Sequence, residues 1–246
     1  MPDNIEVIEP KLFTAVVADE IVASIRDAIE DKGSCSLVLS GGSTPGAIYR
    51  LLSKPPRIAE VEWEKLDLYW GDERYVAQDH SNSNFRMTNE TLMSHLSAEK
   101  PRVHAVDTSY DSAEKAAAAY ESLIRKVEKL EQNALPVFDI VLLGIGEDGH
   151  TASLFPHSKI LALDRTKICG AADHPEGGKR ISLTQHALFN AKKILFIVKG
   201  SSKAAIIKRV IRGSDSPEEL PSRYYLAAKE RVTFFLDSEA ATGLQT

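Results

Sequence analysis

His150 stands in the run LGIGEDGHTASLFP (143–156), with Asp148 two residues before it and glycines at 144, 146 and 149. An imidazole beside a carboxylate suits general-base chemistry, because one ring nitrogen can be held by a hydrogen bond while the other takes a proton. The stretch admits three other readings. Its glycines have the G-x-G-x-x-G spacing of a dinucleotide loop, and Asp164 lies about where the ribose-binding acid would stand. That loop must open a helix, however, and here HTASLF runs into Pro156, which a continuous helix does not tolerate. Asp148 and His150 also offer two metal ligands, but no further Cys, His or Glu follows at ligand spacing, so no metal or other cofactor is expected. The plain alternative is a loop histidine that donates to backbone.

Three more segments carry suitable groups. In LSGGSTP (39–45), Gly41 and Gly42 permit positive φ and close backbone approach, Thr44 suits an N-cap and Pro45 a first helical position. A helix start flanked by the Ser43 and Thr44 hydroxyls attracts an anion such as phosphate; an ordinary strand-to-helix turn has the same residues. No Lys-Ser or Lys-Thr follows, so this is not a nucleotide P-loop. In WGDERYV (70–76), Arg74 offers a planar fork of donors to an anionic substrate, and Asp72 either orients that arginine or bonds a sugar hydroxyl. Such a charged triplet is also what a solvated turn looks like. Arg180, and Lys203 at an expected helix start, add positive charge for a local basic pocket. GGSTP is not G-x-S-x-G, and no serine or cysteine sits in a recognisable triad motif, so no covalent intermediate is expected.

These groups need elements to bring them together. Phe13, Val17, Ile21, Ile25 and Ile29 recur at helical spacing and Gly33 ends their helix; SCSLVLS (34–40) reads as a buried strand. LDLYWGDE (66–73) reads as a strand, Ala113 to Leu130 as an amphipathic helix, and FDIVLLG as the strand that delivers the histidine loop. RISLT (180–184), KKILFIVKG (192–200) and VTFFLD (232–237) are strand-like, SKAAIIKRVIRG (202–213) is a helix, and 172–179 and 213–222 are connectors. Alternating strands and helices imply an α/β fold with a doubly wound, mostly parallel sheet and helices on both faces, whose ligands bind beyond the carboxyl ends of the strands. The candidate residues lie at such ends.

The 246 residues fit one domain spanning 1–246, without repeats or low-complexity tracts. A net charge of −5 argues against a nucleic-acid partner, although a small anion needs only a local basic pocket. Cys35 and Cys169 lie in separate apolar runs and are expected to be buried thiols in a reducing compartment. The opening MPDNIEVIEP lacks a signal pattern and no long apolar span occurs, so a cytoplasmic protein with no membrane partner is expected.

Taken jointly, LSGGSTP, WGDERYV, SNSNF (81–85), LLGIGEDGHTASLFP, RISLT and GSSKA (200–204) closely resemble the 6-phosphogluconolactonases, within the wider group that includes glucosamine-6-phosphate deaminases. The resemblance implies a Rossmann-like sheet without a nucleotide and a phosphosugar lactone as substrate. It further implies His150 as catalytic base, Arg74 as a contact near the lactone, and phosphate contacts from Gly42, Ser43, Thr44, Arg180 and Lys203, with Gly41 in the same turn. A monomer or small homo-oligomer is expected. The deaminases are similar but continue after their histidine loop with Asn-Glu-Pro; here the matching stretch is Leu154-Phe155-Pro156, and Arg74 stands where they resemble a tyrosine. Both departures favour the lactonases.

Overall fold

The computed structural model describes residues 4–96 and 100–244. Ten strands follow in chain order: β1 (Ile5–Ile8), β2 (Cys35–Leu39), β3 (Leu66–Trp70), β4 (Asp72–Arg74), β5 (Arg102–His104), β6 (Ile140–Leu143), β7 (Cys169–Asp173), β8 (Lys179–Leu183), β9 (Lys193–Val198) and β10 (Val232–Asp237). The α-helices are α1 (Phe13–Lys32), α2 (Ser43–Leu52), α3 (Arg57–Glu60), α4 (Asn84–Thr91), α5 (Ala113–Val127), α6 (Gln185–Phe189) and α7 (Ala204–Arg212).

Seven strands form a parallel sheet in the order β1-β10-β9-β6-β2-β3-β5. Every residue of the central strands β2 and β6 is buried. Successive side chains on a strand point to opposite faces, so both faces of the sheet are covered there, as the apolar runs require. From β2 the chain builds outward through β3 to β5, then returns to the other side of β2 with β6 and continues to β9 and β10. The loops leaving β2 and β6 therefore diverge from neighbouring strands, which opens a crevice at their carboxyl ends.

α1 buries Phe13, Val17, Ile21, Ile25 and Ile29 and stops at Gly33, whose φ of 80° lets its N–H reach the Ile29 carbonyl. Two expected elements differ. The segment 66–73 is not one strand: it breaks at Gly71, whose N–H bonds the Leu39 carbonyl, and resumes as β4 in a second, antiparallel sheet, β4-β8-β7. The expected RISLT strand, β8, belongs to this small sheet too. Part of the expected 172–179 connector is strand, because β7 runs to Asp173 and pairs with β8 across a turn. The short strands β1 and β5 are edges, with few buried positions to give them a pattern. Both cysteines are free and buried, and burial pushes the Cys35 thiol up to about 12.

Candidate active site

The ends of β2 and β3 are fixed before they deliver their loops. Tyr49 of α2 accepts from the Ser40 N–H and donates to the Ser40 carbonyl, both at 3.0 Å, just past β2. Tyr120 of α5 does the same to Trp70 at the end of β3, at 2.9 and 3.1 Å. Buried backbone groups beyond the ladder need partners, and a phenol hydroxyl can satisfy both at once.

The turn after β2 differs in detail from the expectation. α2 begins at Ser43 with Gly42 as N-cap and no side-chain cap, so Thr44 is not the cap and Pro45 is not the first helical residue. Gly42 adopts φ 107°, ψ 171°, a conformation closed to residues with a Cβ, and this sets the break two residues earlier than Thr44 would. Gly41 must also lack a side chain, since a Cβ there would lie 1.9 Å from Asn84 Oδ1.

After β6 the chain makes the turn 144–150 instead of a helix, which removes the dinucleotide reading. The Gly146 N–H bonds the His150 carbonyl and the Gly149 N–H bonds the Gly146 carbonyl, so these two donors are spent inside the turn and cannot serve an oxyanion. His150 Nδ1 lies 2.6 Å from Asp148 Oδ1, and the same oxygen accepts the His150 backbone N–H at 3.1 Å. With Nδ1–H donated to the carboxylate, the neutral ring keeps a lone pair on Nε2. Burial pushes the Asp148 carboxyl up, but the hydrogen bonds from His150 outweigh it and the net shift is downward. Phe155 packs against the ring at 4.8 Å.

Arg74 and Arg180 face each other across the β4–β8 pair. Like charges opposite one another repel, and among the described residues neither guanidinium forms an ion pair with a carboxylate. Burial, then Arg74, pushes the Arg180 pKa down. Arg74 is aimed by the Asn82 carbonyl at 3.1 Å and by Asn84 Oδ1. Asp72 does not pair with Arg74; it accepts from Ser153 Oγ at 2.6 Å, tying the histidine loop to β4, and from the Asn84 amide at 3.5 Å. Glu73 lies beneath, almost wholly buried, and its carboxyl accepts the backbone N–H groups of Arg74, Asn84 and Phe85, each at 2.7 Å. Burial raises its pKa despite those bonds. Arg86 is turned away, paired with Glu90 at 2.6 Å.

These loops enclose a cleft of about 310 Å³ lined by Gly41, Gly42, Asp72, Arg74, His150, Arg180 and Lys203. Lys203, the N-cap of α7, has no ion-pair partner among the described residues. Ser43 instead lines an adjoining hollow that shares Gly42 and Arg74 with the cleft, and Thr44 lines neither, because α2 has begun to turn away at Ser43. Asn84, whose contact with a ligand the sequence leaves open, also lines the cleft, as do Ser153, Phe155 and His174, which were not expected there. Asn84 had a signal in its position after an arginine-bearing strand end; Ser153, Phe155 and His174 had none, being delivered by tertiary pairing. A larger, mainly apolar hollow of about 620 Å³ lies on the far side of Phe155 and holds none of the predicted residues.

Comparison with known proteins gives the family and agrees with the fold. The family model for glucosamine-6-phosphate isomerases/6-phosphogluconolactonase matches residues 9–234. The chain belongs to this family. A 6-phosphogluconolactonase of Synechocystis sp. is 33% identical over 226 residues, covering 92% of this chain and 91% of that protein. One of Treponema pallidum is 40% identical over 186 residues, 75% of each chain. The solved 6-phosphogluconolactonase from Trypanosoma cruzi superposes with a TM-score of 0.86 at 30% identity, over 100% of this chain and 98% of that one. The chain has no described helix long and apolar enough to cross a membrane.

Proposed function

We propose that this chain hydrolyses 6-phospho-D-glucono-1,5-lactone to 6-phosphogluconate, the lactone step of the pentose phosphate pathway, in the cytoplasm and without a cofactor. The observation that carries the reading is that His150, held by Asp148, and the cations Arg74, Arg180 and Lys203, which have no carboxylate partner among the described residues, open onto one cleft. The substrate phosphate binds Arg180, Lys203 and the start of α2 at Gly41, Gly42 and Ser43, where the first backbone N–H groups have no intrahelical acceptor. So anchored, the sugar presents its lactone carbon to a water on His150 Nε2.

The water oxygen attacks C1 as its proton passes to Nε2, a general-base step worth roughly 10²–10⁴-fold in rate. Asp148 holds the ring and stabilises the imidazolium that results. Arg74 meets the tetrahedral oxyanion, and one such donor is worth about 3 kcal/mol. Collapse breaks the C1–O5 bond, and O5 takes the proton back from the imidazolium. Asp72, held by Ser153 and Asn84, receives a sugar hydroxyl.

The purified protein should hydrolyse the phosphorylated lactone and release no ammonia from glucosamine 6-phosphate. Arg180→Ala and Lys203→Ala should each raise KM for the phosphorylated lactone much more than for glucono-1,5-lactone. Equal effects on the two lactones would discard the phosphate anchor.

A further inference from the structure

His174 brings a second imidazole into the cleft, on the turn between β7 and β8. That turn is closed by two backbone bonds, from the His174 N–H to the Gly178 carbonyl at 3.0 Å and from the Gly177 N–H to the His174 carbonyl at 2.8 Å. The ring is fixed on two further sides. It makes a T-shaped contact with Phe155 at 5.0 Å, and its Nδ1 accepts the Glu176 N–H at 3.1 Å. An Nδ1 that accepts leaves the proton of the neutral ring on Nε2. His150 and His174 are thus opposite tautomers, one with a free lone pair on Nε2 and one with a free N–H, and Phe155 packs against both rings.

The charged and titratable groups around His174 are Arg180, Glu176, His150 and Asp148. Burial, then Arg180, pushes its pKa down, which keeps the ring neutral beside the two facing guanidinium groups. A third cation there would add to their repulsion, whereas a neutral donor contributes a hydrogen bond without adding charge. Among the described residues Nε2 has no partner.

We propose that His174 is a further substrate-binding residue, whose Nε2–H donates to the substrate's phosphate alongside Arg180. The assignment rests on the lactonase reading above, in which Arg180 anchors that phosphate. Removing a hydrogen bond to a charged group costs roughly tenfold in affinity or more.

The test compares steady-state kinetics on the phosphorylated lactone and on glucono-1,5-lactone for the wild-type chain, His174→Ala, His174→Gln and Arg180→Ala. His174→Ala should raise KM for the phosphorylated lactone roughly tenfold with kcat within about twofold, and leave glucono-1,5-lactone unchanged. His174→Gln, which keeps a neutral N–H donor, should recover most of the loss. If His174 only props Phe155, both lactones suffer alike and glutamine does not rescue; that result, or an unchanged KM, overturns the proposal. Should Arg180→Ala show the phosphate-selective defect while His174→Ala does not, the anchor stands and only the histidine assignment falls. Should neither show it, the anchor itself is wrong.

Discussion

At the scale of single residues, the proposed base His150 is held by close contacts. A Cβ on Gly146 would lie 2.1 Å from His150 Nδ1 and 2.6 Å from Asp148 Oδ1. These are side-chain atoms, so the backbone can survive a Gly146→Ala change while the carboxylate–imidazole pair cannot keep its place. We expect a drop in kcat of at least tenfold with the melting temperature nearly unchanged, since even about 1 Å of misplacement can cost roughly 10²-fold. A variant with normal kcat would mean that the 2.6 Å bond is dispensable. The candidate residues that were legible in the sequence are those whose roles depend on local order: a histidine two residues after an aspartate, glycines before a helix, an arginine at a strand end. His174 was not legible because nothing in HPEGG tells which way a hairpin will face, and Thr44 was misassigned as a cap because φ at Gly42 is set by the turn's surroundings.

At the scale of elements, the site depends on one buried carboxyl. Glu73 accepts three backbone N–H groups and the Ser83 hydroxyl, at 3.1 Å, and through them fixes the start of α4 and the side chain of Asn84 that aims Arg74. Glu73→Ala would orphan several buried donors at about 1–3 kcal/mol each, and we expect a loss of about 3 kcal/mol or more in urea unfolding together with reduced turnover. A loss below about 0.5 kcal/mol, typical of surface changes, would mean that these bonds do not organise the loop. The periodic helix α1 and the apolar strands β2, β6, β9 and β10 were readable because burial itself writes the pattern. The break at Gly71 was not, because LDLYWGDE runs straight through it; the division arises where Gly71 pairs with Leu39 on one side and Leu183 on the other.

At the scale of the whole molecule, the divergence of the chain between β2 and β6 puts the site at the reversal point of the sheet, and the small β4-β8-β7 sheet supplies its cationic wall. The edge strand β5 is secured far from that cleft by Asp67 of β3, which binds His104 at 2.8 Å and Arg102 Nε at 2.7 Å. Burial raises the Asp67 pKa, but these partners outweigh it and hold it near about 2, below its ordinary 3.8. A depressed carboxyl contributes stability above its unfolded value and loses it as pH falls through the folded value, here between about 4 and 2. Asp67→Asn should therefore lower the unfolding free energy at pH 7 by on the order of 1–2 kcal/mol after solvent screening, and the gap to wild type should close as the pH approaches 2. A gap independent of pH would show that the carboxylate charge contributes nothing.

We propose that a water activated by the His150 imidazole opens the lactone. Its most direct test is the turnover of His150→Ala on the phosphorylated lactone, corrected for spontaneous hydrolysis, alongside calorimetric binding of 6-phosphogluconate. Turnover should fall by roughly 10²–10⁴-fold with product affinity retained within a few-fold. Turnover close to that of the wild-type chain, with product still bound, would contradict it.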